Sequence, residues 1–174
     1  MSVIETAPAF DLPGVDGHNH SLDEYANAHV LVLVQSCNHC PYVLAWEERI
    51  NELQRQYADQ GVRIVAINSN DADAHPVDSF EAMVEHAREA AYAFDYLRDE
   101  SQSVARALGV ERTPEAFVFD ADRTLVYHGA VDDNRDEAEV TTHYLRDGIE
   151  AALAGEAPPV ADTPPVGCTV KWRS

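Results

Sequence analysis

The feature that most constrains this chain is an apolar run, Val30-Leu31-Val32-Leu33-Val34, that leads almost directly into Ser36-Cys37-Asn38-His39-Cys40-Pro41. Five consecutive apolar positions fit a strand covered on both faces, as a central strand of an α/β sheet is. After the two thiols, Val43, Trp46, Ile50, Leu53 and Tyr57 recur at spacings of three and four, with Glu47, Glu48, Glu52 and Arg55 elsewhere. That periodicity predicts an amphipathic helix opening at the second thiol. Gly61 ends it, and Val62-Arg63-Ile64-Val65-Ala66-Ile67 reads as a second strand. A strand-helix-strand unit makes its strands parallel, so the sheet is at least partly parallel.

The flanking segments follow the same logic. Upstream, Gly14-Val15-Asp16-Gly17 marks a short hairpin or loop at one edge of the fold, and the Ser21 to Glu24 spacing predicts a capping box on a brief helical turn. Residues 68–76 form a polar loop at the carboxyl end of the second strand, where ligand-facing loops collect; it also reads as a turn capping a helix that begins near Asp78. Phe80, Met83, Val84, Ala87 and Ala90 mark that helix. An apolar run at 93–97 follows, then a small helix through Val104, Ala105 and Leu108 closed by Gly109. Glu115 to Phe119 and Thr124 to Val131 predict an antiparallel hairpin, and Val140, Tyr144, Leu145, Ile149, Ala152 and Leu153 a final helix stopping at Gly155. Residues 156–174 carry prolines at 158, 159, 164 and 165 and no helical period, so they should run extended over the surface. At 174 residues the expectation is one domain over residues 1–155 with the tail 156–174 packed on it.

Charge and termini exclude several classes of partner. The net charge is -19, and of 12 basic residues Lys171 alone is lysine, so the chain repels nucleic acid and anionic membranes. The scarcity of lysine beside abundant Asp and Glu also points to adaptation to high salt, where surface self-repulsion is screened. No stretch approaches the roughly 20 apolar residues of a membrane span, and Met1-Ser2-Val3-Ile4-Glu5 lacks the order of a secretory signal, so the expected location is cytoplasmic.

Three cysteines, at 37, 40 and 168, are an odd number in a chain read as cytoplasmic, which favours catalysis or metal binding over a structural framework. A Cys-x-x-Cys at a helix start has a specific logic. Unpaired backbone N–H groups and the helix dipole favour a thiolate there. The expectation is that Cys37, at or just before the first turn, is the nucleophile, and that Cys40, less exposed, resolves the mixed disulfide. His39 is the expected tuning residue, since an imidazole beside a thiolate stabilises the reduced form. Asn38 is expected to accommodate the turn. A zinc site would need a second knuckle, and Asp71, Asp73 and His75 lack the EF-hand's glycine and closing glutamate, so no metal or other cofactor is expected.

Ala7-Pro8-x-Phe10-x-Leu12, Cys37-Asn38-His39-Cys40-Pro41-Tyr42-Val43, Thr113-Pro114-Glu115, Phe117-Val118-Phe119-Asp120 and Gly167-Cys168-x-Val170-Lys171-Trp172 occur in this order. With them the chain resembles the thioredoxin-like superfamily and, more closely, its peroxiredoxin-like redoxin (AhpC/TSA-related) family carrying a Cys-x-x-Cys. The resemblance implies an α/β thioredoxin-like fold, a central mixed sheet flanked by helices, with Pro114 a cis-proline facing the thiols. It also implies that Thr113 offers main-chain hydrogen bonds to a bound substrate segment by strand addition. Departures bear on the activity. Leu31 and Ser36 stand where thioredoxins carry a buried Asp and a Trp, Val30 and Val34 where peroxiredoxins carry Pro and Thr, and Arg112 where some relatives place a cysteine.

The expected function is a thiol-disulfide oxidoreductase acting through the Cys37/Cys40 couple on protein or small-molecule thiols and disulfides. The alternatives are a thiol peroxidase, in which Cys37 becomes a sulfenic acid that Cys40 resolves, and a redox-sensing binding module without turnover. Cys168 has three readings: an inert buried thiol, a third redox centre exchanging with Cys37 or Cys40, or a bond between chains that would make a homo-oligomer.

Overall fold

The computed structural model describes residues 4–174; Met1, Ser2 and Val3, at the start of the expected domain, lie outside the described residues. In chain order the elements are β1 (Asp11–Pro13), β2 (Asn19–Ser21), β3 (Val30–Ser36), α1 (Pro41–Tyr57), β4 (Val62–Asn68), α2 (Phe80–Glu89), β5 (Asp95–Arg98), α3 (Ser103–Leu108), β6 (Arg112–Thr113), β7 (Glu115–Phe119), β8 (Leu125–Gly129), α4 (Tyr144–Ala154) and β9 (Cys168–Thr169).

A five-stranded mixed sheet runs in the order β5-β4-β3-β7-β8. Strands β3, β4 and β5 are parallel, and β7 and β8 continue the sheet in antiparallel pairs. The apolar run of β3 needs no polar face because alternate residues enter different layers. Val30, Val32 and Val34 pack with Trp46, Ile50, Met83, Leu145 and Ile149 of α1, α2 and α4. Leu31 and Leu33 pack on the other face with Phe10, Leu12, Val104 and Leu108. The apolar run at 93–97 supplies the edge strand β5.

Trp46 anchors α1. It is buried and its indole N–H donates to Asp132 Oδ1 at 2.8 Å, so truncation to alanine would remove both a large apolar contact and a satisfied donor, at a cost of about 3–5 kcal/mol. Beyond α1 the chain makes a short 3-10 turn, and Gly61 at φ 80 reverses it into β4.

Three local expectations are corrected. The capping box does not form: Ser21 makes no side-chain cap bond, and Glu24 instead bonds His20 Nδ1 at 2.7 Å. The second long helix starts at Phe80 with Ser79 as its cap, because Asp78 is drawn inward and wholly buried. The final helix starts at Tyr144, since Val140 is extended at ψ 128.

The tail does run extended, but it is built into the fold rather than laid over it. Thr163 Oγ1 accepts the Ala130 N–H at 2.9 Å, and β9 pairs antiparallel with β6.

Candidate active site

The site forms where β3 ends, at the carboxyl edge of the parallel strands. Between Ser36 and the helix, the loop is fixed by Asn38: its backbone N–H donates to Asp78 Oδ1 at 2.9 Å, its amide donates to the Val77 carbonyl at 2.8 Å, and its amide oxygen accepts from the Tyr96 hydroxyl at 2.7 Å. Asn38 is thus a buried tie between three segments, more than a residue that tolerates a turn. Asp78 is wholly buried and also accepts from the Asn68 and Asn70 amides, so its charge is held by three donors.

Pro41 is the first helical residue, a position where its missing N–H costs nothing, and Cys40 is the N-cap. Cys37 therefore lies in the loop before the helix, not in its first turn. Both thiols are buried, Cys37 at 2% exposed and Cys40 at 4%.

The electrostatics follow this placement. The hydrogen bond between the two sulfurs, with the Cys168 thiol and the Val43 backbone N–H adding to it, holds Cys40 well below an ordinary thiol. The same sulfur-sulfur bond, burial and the Asp78 carboxylate push Cys37 up, against a smaller opposing pull from Thr113. The two thiols are thus pushed in opposite directions, Cys40 down and Cys37 up.

Thr113 touches both thiols. Its hydroxyl lies 3.6 Å from Cys37 Sγ, and its carbonyl accepts from Cys40 Sγ at 3.6 Å. The Thr113–Pro114 peptide bond is cis. Behind it Glu115, buried in β7, accepts the Glu111 and Arg112 N–H groups at 2.8 and 3.0 Å through one oxygen and bonds His128 Nε2 at 2.7 Å through the other. His128 Nδ1 meets Asp162 of the tail at 2.7 Å, so one imidazole ties the cis-proline loop to the tail.

The edge of Thr113 is not open to an incoming segment. Cys168 stands opposite it in the β6–β9 pair, which corrects the expectation that Thr113 presents free main-chain groups to a substrate. All three cysteines are free thiols, with Cys168 packed against the Cys37, Cys40 and Val43 cluster.

His39 is exposed, and among the described residues its side chain has no hydrogen-bond or ion-pair partner, so it stands beside the thiols in sequence without touching them through such a bond. Asp71, Asp73 and His75 form a turn in which Asp71 Oδ1 accepts the Asp73 N–H at 3.1 Å and the Asp71 carbonyl accepts from His75. The sequence reading missed Asp78, Tyr96, Glu115 and His128. For Glu115 the signal was present, a lone carboxylate opening the otherwise apolar Ala116 to Phe119; Asp78 and Tyr96 carry none, because their role arises only when distant loops meet.

Comparison with known proteins bears on this arrangement. The Redoxin family model matches residues 3–144. A comparison with curated proteins gives no match. Among solved structures, the chain is similar to a hypothetical protein from Sinorhizobium meliloti 1021, with 38% identity and a TM-score of 0.92 over 98% of this chain and 94% of that one. It is similar in fold to a thiol:disulfide interchange protein of the thioredoxin family from Chlorobium tepidum TLS, with 15% identity and a TM-score of 0.67 over 86% of this chain and 96% of the other. The peroxidoxin BcpB from Mycobacterium tuberculosis matches at 20% identity and a TM-score of 0.62, over 88% of this chain and 95% of that one. These last two likenesses, at 20% and 15% identity, are of fold alone.

Proposed function

The chain belongs to the redoxin family, and from that premise we propose that it is a thiol-disulfide oxidoreductase whose working couple is Cys37 and Cys40. The observation that carries this reading is the placement of both sulfurs against Thr113 at 3.6 Å, directly before a cis-proline.

In the reductive direction Cys37 attacks one sulfur of a substrate disulfide, and its proton passes across the shared bond to the Cys40 thiolate. The departing substrate sulfur leaves as a thiolate and takes that proton from Cys40. Cys40, anionic again, attacks Cys37 Sγ, forms the Cys37–Cys40 disulfide and releases the second substrate sulfur as a thiolate. The substrate gains two electrons and the couple loses two; run backwards, the same steps oxidise a substrate dithiol. Cys40 takes up the proton that Cys37 loses and, deprotonated again, is the resolving thiolate. His39, exposed between the two cysteines in the chain, keeps the tuning role in this reading.

The substrate is a protein or small-molecule thiol or disulfide. Exposed Leu44, one turn into α1, Val77, whose carbonyl receives the Asn38 amide, and Val166, beside Gly167, offer an apolar rim for a protein surface. Among the described residues no helix is long and apolar enough to cross a membrane, and we place the protein in the cytoplasm.

The test is steady-state turnover with a dithiol donor against a protein disulfide and, separately, against hydrogen peroxide. Disulfide turnover that falls to background in Cys37→Ser and Cys40→Ser is expected. Faster peroxide consumption than disulfide exchange would replace this reading with a peroxidase.

A further inference from the structure

The tail returns to the thiols by a specific path. Gly167 passes so close to Thr113 that a Cβ on it would lie 1.9 Å from the Thr113 carbonyl oxygen, a contact only glycine permits. Cys168 then pairs with Thr113 and Thr169 with Arg112. Beyond them the Val170 N–H donates to the Glu111 carbonyl at 3.2 Å, the Lys171 N–H to Asn70 Oδ1 at 2.9 Å, and the Lys171 carbonyl accepts from the Asp71 N–H at 2.8 Å and the Gln102 amide at 3.0 Å. A segment held at so many points is a fixed part of the site. Cys168 therefore occupies the strand position that an incoming segment would take beside a cis-proline, and it packs on the same cluster as Cys37 and Cys40.

Access separates the three thiols. Cys37 and Cys40 are buried, whereas Cys168 is partly exposed. We propose that Cys168 is a third catalytic thiol, which takes over the disulfide from the buried Cys37–Cys40 couple and presents it at the surface. The step is a disulfide exchange. The Cys168 thiolate attacks Cys40 Sγ of the oxidised couple; the Cys40–Cys168 bond forms as the Cys37–Cys40 bond breaks. Cys37 leaves as a thiolate and takes the proton that Cys168 shed. Nothing is oxidised or reduced overall, and an external thiol then attacks Cys168 Sγ where it is exposed.

The electrostatics fit the order of events. In the dithiol, burial and then the Cys40 sulfur push the Cys168 thiol up to about 11. Oxidation of Cys40 removes the second of these causes, so Cys168 becomes easier to ionise at the stage when it has to attack.

The inference rests on the Cys37/Cys40 couple proposed above, and peptide mapping by mass separates the two. Wild type, Cys37→Ser and Gly167→Ala are oxidised with glutathione disulfide, the remaining thiols are alkylated, and the linkages are read. Expected are both Cys37–Cys40 and Cys40–Cys168 links in wild type, a Cys40–Cys168 link in Cys37→Ser, and in Gly167→Ala a Cys37–Cys40 link with the Cys40–Cys168 link reduced at least tenfold. Cys168 fully alkylated in wild type and Cys37→Ser, with Cys37–Cys40 still formed in wild type, overturns the relay and leaves the couple standing. Absence of any link in wild type overturns both.

Discussion

Cys168 and Thr113 face one another across an antiparallel pair of short strands, and Thr113 in turn touches Cys37 through its hydroxyl and Cys40 through its carbonyl. One residue thereby gathers three thiols that lie 76, 73 and 55 positions from it in the chain. The burial of Cys37 and Cys40, the lowered Cys40 thiol and the occupied strand edge come together there, and they lead to measurements.

Of the two buried thiols, Cys40 is the one whose environment lowers its proton affinity. Thiolate absorbance in the reduced protein should therefore rise with a midpoint well below the ordinary value of about 8.5, and that low step should vanish in Cys40→Ser. A low step that survives in Cys40→Ser and disappears in Cys37→Ser would put the charge on Cys37.

His128 links stability to pH. Burial alone would push its imidazole down, but the hydrogen bonds to Glu115 and Asp162 outweigh burial and raise its pKa. A group raised in the folded state contributes stability that is fully present below the unfolded value, about 6.5, and that contribution is lost as pH rises through the higher folded value. Chemical denaturation from pH 6 to 9 should show stability falling with pH. His128→Gln should flatten that slope, leaving the parts due to His20, raised against burial by Glu24 and Asp16, and His86, raised by Glu47. A slope unchanged in His128→Gln would contradict this assignment.

Asp78 supports the loop that carries Cys37. Replacing it with alanine strands the Asn38 N–H and the Asn68 and Asn70 amides in a buried place, and the expected loss is about 2–5 kcal/mol in denaturant unfolding. A loss below ~1 kcal/mol would mean that water or a rearranged Tyr96 satisfies those donors.

Gln35 is the opposite case. It is wholly buried in β3, two residues before Cys37, and neither amide atom has a hydrogen-bond partner among the described residues. Gln35→Met keeps the volume and removes the stranded amide, so unfolding should become harder by about 1–3 kcal/mol. A destabilised variant would show that the amide has a partner in solution.

Much of this architecture is legible in the residues because it is local. The alternation of Val30, Val32 and Val34 with Leu31 and Leu33 into two layers, the 3-4 spacing from Val43 to Tyr57 and the hairpin around Asp120–Arg123 are all periodic, and β3, α1, β7 and β8 form where that period places them. The thiols are legible as a motif. Their environment is not, because Asp78, Tyr96, Glu115 and His128 reach the site from four separate segments. The tail shows the difference most plainly: Gly167 to Lys171 has no period to read, and its path depends on backbone partners at Asn70, Asp71 and Glu111 that only the folded chain supplies.

The most direct test of the Cys37/Cys40 couple is a redox titration of the wild-type protein in glutathione buffers, with the Cys37–Cys40 linkage followed by peptide mass. The linkage should form and disappear reversibly as a two-electron couple, with a slope of about 30 mV per tenfold change in the oxidised-to-reduced ratio. Both cysteines remaining alkylatable across the whole range, or an oxidation that reducing buffer cannot reverse, would contradict it.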